Sequence, residues 1–351
     1  MFVAQRLRNQ RPKPSVVTVT LQNHCKTWPE RNQVQCHCCS GNCRKSGSYK
    51  NRNRVVQRFA CDRCGKSFSE SQPLGDLRIE HAKVVQIINL LCEGIGIRAA
   101  ARLVDCHRDT VLSVLEEIGG KCAALLDARV RYVKSKFVQT DEISTYVGCK
   151  RFRNYDDNPL RGEFFTFLSV DRDSKLIINW KVDKRDFDTT QEFLRDLKAR
   201  MLGRFQLTTD AFIGYCTKTG GVGGVFNDAQ IDYATEKKVF GHVQIAPYRF
   251  VATVKEIKRK ARIGNPDMKL ATTCHCERMN LSVRQFTKRF NRATLGYSKT
   301  LVNLRHAVAL FAAHFNYCRV HGTTKQTPAQ AAMLTKDVWT VERLIEECGN
   351  Y

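Results

Sequence analysis

The hydrophobic periodicity of the chain changes after Lys136, and this change constrains the fold more than any other feature. Before it, apolar residues recur with helical spacing. After it, they alternate with polar residues, as in strands that bury one face. Three alternating segments, one amphipathic helical segment and one short strand follow in order: residues 137–148, 162–171, 175–182, 188–201 and 205–210. This succession predicts an α/β domain, which we place at residues 134–320, with Asp188 or Thr189 capping its first helix.

Three acids of this domain lie at positions that indicate a metal site. The succession of strand, strand, strand, helix and strand matches the opening of a ribonuclease-H-like fold. In that fold the acid of the first strand meets the acid that ends the fourth, and a later helix brings a third. Asp141, Asp210 and Glu277 occupy these places. Three converging carboxylates suit two Mg²⁺ ions, with Mn²⁺ as a substitute, because one ion can activate a water or 3′-hydroxyl while the other stabilises the leaving oxygen.

Glu277 is the only acid between Met268 and Lys336, in a stretch rich in Lys and Arg. With helical periodicity, one face of this stretch packs and the other is presented to solvent. The packing face carries Met279, Val283, Phe286 and Phe290, and the opposite face carries Glu277, Leu281, Arg284 and Lys288. An acid in line with cations could serve a metal ion and a phosphate chain. An attraction between Glu277 and Arg284 on a solvated face explains the same pattern.

Each acid also has an ordinary explanation. Asp141 could be a strand-end acid, Asp210 a helix cap and Glu277 a salt-bridge partner. Alternation further places Asp141 and Glu142 on opposite faces of their strand, so only one of the two is expected to face the site, and the pattern does not say which. The convergence of three acids in a basic protein is what favours a metal site over these separate explanations.

Two cysteine pairs in the N-terminal segment have the spacing of a zinc ribbon, which we place at residues 31–70. The pairs are Cys36-x2-Cys39 and Cys61-x2-Cys64. Four thiolates around one Zn²⁺ form a closed tetrahedral site, and the metal supplies folding energy that so polar a segment cannot obtain from a hydrophobic core. Cys38 could replace either member of the first pair, and a register that uses Cys43 is also open.

The pattern of residues 78–122 predicts a helix-turn-helix DNA-binding domain. Helical segments flank a turn at Gly94-Ile95-Gly96 and a link at Cys106-His107, and Asp109 or Thr110 could cap the last helix, whose beginning would meet the major groove. A plain helical linker or a dimerisation hairpin would show a similar pattern. The positive charge of the preceding segment favours the DNA-binding interpretation.

Charge indicates a polyanionic partner. The chain has a formal net charge of +24, and residues 1–66 carry 14 Lys and Arg against two acids, an excess of 12 that includes a basic arm at residues 1–30. Neutralised phosphates release counterions, so double-stranded DNA is the expected partner. The N-terminus lacks the apolar core of a signal peptide, and no run approaches the roughly 20 apolar residues of a membrane span. We therefore expect a cytoplasmic, nucleoid-associated protein with no membrane segment.

Several stretches resemble the transposases of bacterial insertion sequences of the insertion-sequence 1 type. They are QTDEI, TTDAF, IDYATEKKVF, GNPD, the stretch from Thr272 to Lys299, and HFNYCRVHGTTKQTPAQAA, which leads into a C-terminal helical tail at residues 321–351. The ER-x-N-L-x-x-R motif of that family falls on Glu277, Arg278, Asn280, Leu281 and Arg284. With the ribbon and the helix-turn-helix, the resemblance covers nearly the whole chain. The run Cys274-His275-Cys276 before the glutamate departs from the family pattern.

The resemblance implies a DDE-type transposase and resolves the choice at the first strand. It makes Asp141, and not Glu142, the partner of Asp210 and Glu277 in the acidic triad, and it makes Arg284 the basic residue of the site. The implied activity is binding of the element's terminal inverted repeats, metal-dependent strand cleavage and strand transfer into target DNA, by a homodimer or higher oligomer. Two alternatives are a DNA-binding regulator derived from such an enzyme without catalytic activity, and a structure-selective nuclease of the same fold.

Overall fold

The computed structural model describes residues 36, 41–50, 55–69, 74, 77, 79–150, 158–216, 220–227, 229–246, 249–291 and 294–351. The described residues fall into two compact units, one within residues 1–47 and 57–68, and the other within residues 48–56 and 69–351. The predicted basic arm and the predicted zinc ligand Cys39 lie outside the described residues. Among the described residues, no helix is long and apolar enough to cross a membrane.

The cysteine-containing segment forms a small sheet of three strands in the order β1 (Cys43–Lys50), β2 (Val55–Cys61) and β3 (Ser67–Ser69). Its apolar content is small. Phe59 is buried and stacks on Phe68 with ring centroids 6.0 Å apart, while nearly all of β1 is exposed. A segment that buries so little apolar surface needs another source of folding energy.

Three helices follow: α1 (His81–Cys92), α2 (Ile97–Val104) and α3 (Arg108–Arg129). They coincide with the helical segments that the sequence indicates, but the cap of α3 differs from the prediction. His107, and not Asp109 or Thr110, is the N-cap residue, and its Nδ1 accepts a hydrogen bond from the Asp109 backbone N–H at 3.3 Å. The prediction failed because a histidine is rarely considered as a cap, although a neutral imidazole nitrogen accepts as an oxygen does.

Helix α3 continues past residue 122 and packs along α8 (Leu301–Tyr317) and α10 (Val341–Cys348). The two long helices approach closely at Gly119, where a Cβ atom would lie 2.7 Å from the backbone oxygen of His306. At the end of α3, the guanidinium of Arg200 donates hydrogen bonds to the carbonyl of Val130 and to the carboxylate of Asp127. The helical region and the sheet domain therefore share one continuous core.

The second sheet has six strands in the order β6-β5-β4-β7-β8-β9. Strands β4, β5 and β6 are antiparallel neighbours, β7 is parallel to β4, β8 is parallel to β7, and β9 returns antiparallel to β8. The bounds are β4 (Phe137–Val147), β5 (Gly162–Asp171), β6 (Ile177–Asp183), β7 (Phe205–Thr209), β8 (Ile231–Ala246) and β9 (Arg249–Ile263). The result is a mixed α/β fold with a mixed sheet, consistent with the α/β fold of nucleases.

Helices connect and cover this sheet. Helix α4 (Phe187–Arg200) joins β6 to β7 and is capped by Asp186, whose side chain accepts from the Thr189 N–H at 2.8 Å, in place of the predicted caps Asp188 or Thr189. The other described helices are α5 (Ile213–Cys216), α6 (Val222–Val225), α7 (Cys274–Phe286), a 3₁₀ turn (Lys288–Phe290) and α9 (Pro328–Ala331).

Strands β8 and β9 form a long hairpin that leaves the sheet. β8 pairs with β7 only from Ile231 to Thr235, whereas its pairing with β9 continues to Ala246. Large apolar side chains on the outer part of the hairpin are exposed: Phe240, Val243, Ile245, Phe250, Val251, Val254 and Ile257. The outer part of the hairpin is therefore a two-stranded ribbon without a hydrophobic core of its own.

Candidate active site

The site begins with two acids on neighbouring parallel strands. β4 pairs with β7 in a register that sets Thr140 against Thr209, so Asp141 and Asp210 are next to each other where β7 ends. The carboxyl ends of parallel strands lie at the same edge of a sheet, which brings residues far apart in the sequence together. Oxygens of Asp141, Glu142 and Asp210 all lie within 4.8 Å of one another.

The structure brings both Asp141 and Glu142 to Asp210, and this corrects the expectation that only one of the pair could face the site. Asp210 follows the last residue of β7, so its side chain is not confined to one face of the sheet. Its carboxylate therefore lies near the carboxylates of both Asp141 and Glu142. The side chain of Glu142 is 2% exposed and accepts hydrogen bonds from the Tyr215 hydroxyl and from the Arg185 guanidinium at 3.0 Å.

Burial and mutual repulsion both raise the pKa values of Asp141 and Glu142. Burial raises the pKa of Asp141 to about 7, and the negative charges of Asp210 and Glu277 add to the rise. Burial likewise raises the pKa of Glu142 to about 7, with Asp210 contributing, while Tyr215 and Arg185 oppose the rise. Carboxylates held together in this way favour a cation, since a divalent ion offsets the repulsion that otherwise retains protons.

Arg185 is the chain's own cation at this site. Its Nη2 donates to Glu142 and, at 3.2 Å, to Asp210, and its guanidinium lies 3.9 Å from the ring centroid of Phe212. The sequence analysis missed this residue. Arg185 lies in the connection between β6 and α4, and no motif or periodicity links a loop arginine to acids that are distant in the sequence.

Glu277 lies beside the three-carboxylate group and is not a member of it. Its carboxylate accepts hydrogen bonds from the ammonium of Lys238 on β8 and from the Thr273 hydroxyl, the latter at 3.0 Å. Glu277 is nevertheless near enough to raise the pKa of Asp141. The structure therefore places the third predicted acid at the edge of the site, paired with a lysine of the hairpin base.

Helix α7 is fixed against the sheet by polar contacts at its start. Gln139 of β4 accepts hydrogen bonds from the backbone N–H groups of His275 and Cys276 at 2.8 and 3.2 Å. One turn later the amide of Asn280 donates to Asp141 at 2.8 Å. The thiol of Cys276 is buried and donates to the backbone carbonyl of Leu168 on β5 at 3.5 Å, so His275 and Cys276 anchor the helix to β4 and β5.

The predicted line of charges along this helix is interrupted. α7 ends at Phe286, and Thr287 has φ −129° and ψ 101°, an extended conformation. Lys288 therefore belongs to the following 3₁₀ turn and does not continue the row of Glu277 and Arg284. Arg284, the predicted basic site residue, lies in the last turn of α7, two helical turns beyond Glu277. In the sequence, the local sign that the helix ends here is Thr287, because β-branched residues disfavour a helix.

The donor atoms at this site fit Mg²⁺ or Mn²⁺. Carboxylate oxygens are the ligands that these hard cations prefer, and Asp141, Glu142 and Asp210 supply three such groups in one place with solvent access at Asp210.

A second group of possible metal ligands lies in the small sheet unit. Sulfurs of Cys36, Cys61 and Cys64 lie within 4.8 Å of one another, and the Cys36 and Cys64 sulfurs are 3.7 Å apart. Tetrahedral Zn²⁺ with sulfur at about 2.3 Å requires sulfurs about 3.8 Å apart, so this separation fits. Burial raises the pKa of the Cys43 thiol to about 11, and the nearby thiols of Cys61 and Cys36 add to the rise. Three of the four predicted ligands are therefore together, and Cys43 is a neighbour of the group.

Comparisons with known proteins give a weak structural similarity and no family. No family model matches the sequence, and no curated protein matches it. A solved structure of a piggyBac transposase synaptic complex with hairpin DNA, determined by cryo-EM, aligns with 72% of this chain at 10% identity and a TM-score of 0.28. The aligned region spans 56% of that chain, somewhat over half its length. A similarity at this level does not establish a family, and membership of the insertion-sequence 1 family stays a hypothesis.

Proposed function

We propose that this protein is a DDE-type DNA transposase that binds the terminal inverted repeats of an insertion sequence and catalyses metal-dependent strand cleavage and strand transfer. The observation that carries the proposal is the convergence of Asp141 and Glu142, in the middle of β4, with Asp210, which follows the end of the adjacent parallel strand β7. Glu277 lies beside them on a later helix. The strand order supports it, because three antiparallel strands followed by two parallel ones form the core of a ribonuclease-H-like sheet.

In this proposal Asp141, Asp210 and Glu277 would hold two Mg²⁺ ions, and the chemistry that the ions would supply is activation of the nucleophilic oxygen and stabilisation of the leaving oxygen. Asn280 holds the carboxylate of Asp141 in place, and Arg185 limits the repulsion between Glu142 and Asp210 before a metal binds. Arg284 steadies a DNA phosphate. Glu142, buried against Tyr215, is assigned to orient the pair of aspartates.

DNA binding is assigned to the N-terminal third of the chain. The positive excess of residues 1–66 would contact phosphates, a single structural Zn²⁺ would hold the ribbon at Cys36, Cys39, Cys61 and Cys64, and α1, α2 and α3 would read the repeat as a helix-turn-helix. A homodimer or higher oligomer would hold two element ends together in the bacterial cytoplasm.

A DNA-binding regulator without catalytic activity is the second candidate, and one observation favours it. Cations of the chain itself engage the acids: Arg185 pairs with Glu142 and Asp210, and Lys238 pairs with Glu277. Acids that are ion-paired with cations of the same chain contribute contacts to the fold even in a protein without catalytic activity.

Incubation of the full-length protein with a duplex that carries the inverted repeats flanking its gene separates the candidates. The transposase hypothesis predicts new 3′ ends and joined products in Mg²⁺, with neither in chelator. Cleavage without joining indicates a nuclease, and binding without cleavage indicates the regulator.

A further inference from the structure

A cavity of about 860 Å³ lies within the larger unit, away from the three carboxylates. Its walls come from the α1–α2 turn, the start of α3, the 3₁₀ turn after α7, and α8. This volume is in the range of pockets that bind small organic ligands. The transposase mechanism described above makes no use of it.

The cavity is strongly cationic. Six Lys and Arg residues line it against one acid, Asp109, which is already paired with its neighbour Arg108 at 3.2 Å. The six cations are Arg98, Arg102, Arg108, Lys288, Arg289 and Lys299. Cations clustered around a cavity with low-dielectric walls attract an anion more strongly than the same charges on an open surface.

One of these cations, Arg289, is half-buried and has no carboxylate partner among the residues that the structure describes. Arg289 donates from Nη1 to the Ser298 hydroxyl at 2.8 Å, while its Nη2 is shielded from solvent and has no acceptor among the described residues. Burial lowers the pKa of Arg289 to about 10. Asn303, also in the lining, has a buried Oδ1 that accepts no hydrogen bond from the described residues. Unpaired buried polar groups are costly. Both atoms are shielded as the side chains stand, so a ligand with an anionic group and an N–H donor would satisfy them after small side-chain rotations expose them to the cavity.

The rest of the lining is apolar. Leu91, Leu115 and Phe311 form part of it, and Tyr297 lies at the wall with the Lys299 ammonium 4.2 Å from its ring centroid. An inorganic anion would leave these surfaces unused. A ligand that combines a flat apolar ring with a phosphate would contact both kinds of surface, and nucleobases stack on aromatic side chains irrespective of sequence.

We propose that this cavity binds a nucleotide, with its base on the apolar wall and its phosphate at Arg289 and the surrounding cations. The nucleotide is either free or an unpaired residue of a bound DNA strand. The second source rests on the proposed function. α7 leads from Glu277 to Phe286 at the cavity wall, about 14 Å at 1.5 Å per residue. This length corresponds to about four base steps of a duplex, so a nucleotide near the cleaved phosphate could reach the cavity.

The test uses 2-aminopurine, a fluorescent base whose emission changes on stacking. One arm titrates free 2-aminopurine deoxyribonucleoside monophosphate into the full-length protein, and the other titrates a short duplex with one mismatched 2-aminopurine. A saturable change in either arm is expected. A change in the first arm alone identifies a free nucleotide, and a change in the second alone identifies the DNA strand. No saturable change in either arm overturns the proposal.

Variants tie the signal to the cavity. Ala99→Phe fills the space without changing charge, and Arg289→Met removes the buried cation. Each should weaken binding at least about tenfold, whereas Lys336→Gln, which removes an exposed cation outside the lining, should stay within about twofold. Arg289→Met should not lower the melting temperature, because an unpaired buried charge is replaced by an apolar chain of similar length. Unchanged binding in both cavity variants would also overturn the proposal.

Failure of the two proposals is distinguishable. Binding of the free mononucleotide needs no strand cleavage, so it should persist in Asp210→Asn. If the wild-type protein binds the mononucleotide but neither cleaves nor joins DNA, the transposase assignment fails while the cavity assignment stands. If it cleaves and joins DNA but both cavity variants bind and react as wild type, the cavity assignment alone fails.

Discussion

At the scale of single residues, the acids in the middle of β4 and at the end of β7 are expected to determine how the protein responds to pH and metal. The folded-state pKa values of Asp141 and Glu142, about 7 for each, exceed those of unfolded carboxyls, near 4. Folding thus favours their protonated forms. The stability that they contribute is fully present below about pH 4 and is lost as the pH rises through about 7.

This linkage predicts a pH-dependent effect of Mg²⁺. At about pH 8 the carboxylates are ionised and repel one another, so Mg²⁺ should raise the melting temperature, whereas at about pH 5 they hold protons and the increase should be much smaller. Thermal unfolding with and without Mg²⁺ at both pH values measures it. An equal increase at both pH values, or an increase retained by an Asp141→Asn/Asp210→Asn double variant, would contradict the assignment.

Arg185 allows a second prediction at this scale. Arg185→Met leaves the buried carboxylate of Glu142 without its ion pair, so the metal-free protein should lose about 1–3 kcal/mol of unfolding free energy at neutral pH. Lys181→Met is the matched control, because Lys181 pairs with the exposed Glu192 and should cost less than about 1 kcal/mol. Urea denaturation compares the two, and equal losses would mean that Arg185 acts only as a surface cation.

At the scale of elements, the hairpin of β8 and β9 differs from the rest of the sheet. Its outer part pairs only with itself and exposes apolar side chains, whereas β4 and β5 are buried in the core. Two-stranded ribbons are marginally stable in water. Amides of residues 239–246 and 249–254 should therefore exchange with solvent much faster than those of β4, as followed by hydrogen–deuterium exchange. Protection equal to that of β4 would show that the hairpin is covered by a partner.

The small sheet gives a prediction about zinc. If Cys61 and Cys64 are metal ligands, the purified protein should contain one Zn²⁺ per chain, and the double variant Cys61→Ser/Cys64→Ser should lose it. Separate Cys39→Ser and Cys43→Ser variants then identify the fourth ligand. Cys216→Ser, a half-buried cysteine of the other unit, serves as the control. Absence of zinc from freshly purified protein would contradict the ribbon.

Elements with clear periodicity were predictable from the sequence, and contacts that depend on tertiary structure were not. Alternation located β4, β5 and β6, and helical spacing located α4. The caps His107 and Asp186 were missed because caps depend on local backbone geometry. The pairing of Lys238 with Glu277 and of Arg185 with Asp210 depends on the sheet order, which periodicity does not encode. Asp210 could be located because the end of a strand is visible in a sequence, and Asp141 because an acid is unusual within an alternating, largely apolar strand.

At the scale of the whole molecule, the net charge of +24 predicts how the proposed association with DNA depends on salt. Affinity should fall steeply and log-linearly with salt concentration because phosphate contacts release counterions. The measurement requires the full chain, since a fragment ending near residue 120 would cut α3 and expose the face that packs on α8. Salt-independent binding would contradict an electrostatic interface.

The central claim is that Asp141, Asp210 and Glu277 form a metal-dependent active site for DNA strand cleavage and joining. The most direct test compares wild type with Asp141→Asn, Asp210→Asn and Glu277→Gln in Mg²⁺, using Asp173→Asn, an exposed turn acid, as the control. Loss of metal-derived stabilisation worth several kcal/mol should reduce the rate of strand transfer at least about a hundredfold in each site variant. DNA affinity and the control should remain near wild type. Full strand transfer by Asp141→Asn or Asp210→Asn would contradict the site, and full activity of Glu277→Gln with loss in Glu142→Gln would move the third acid to Glu142.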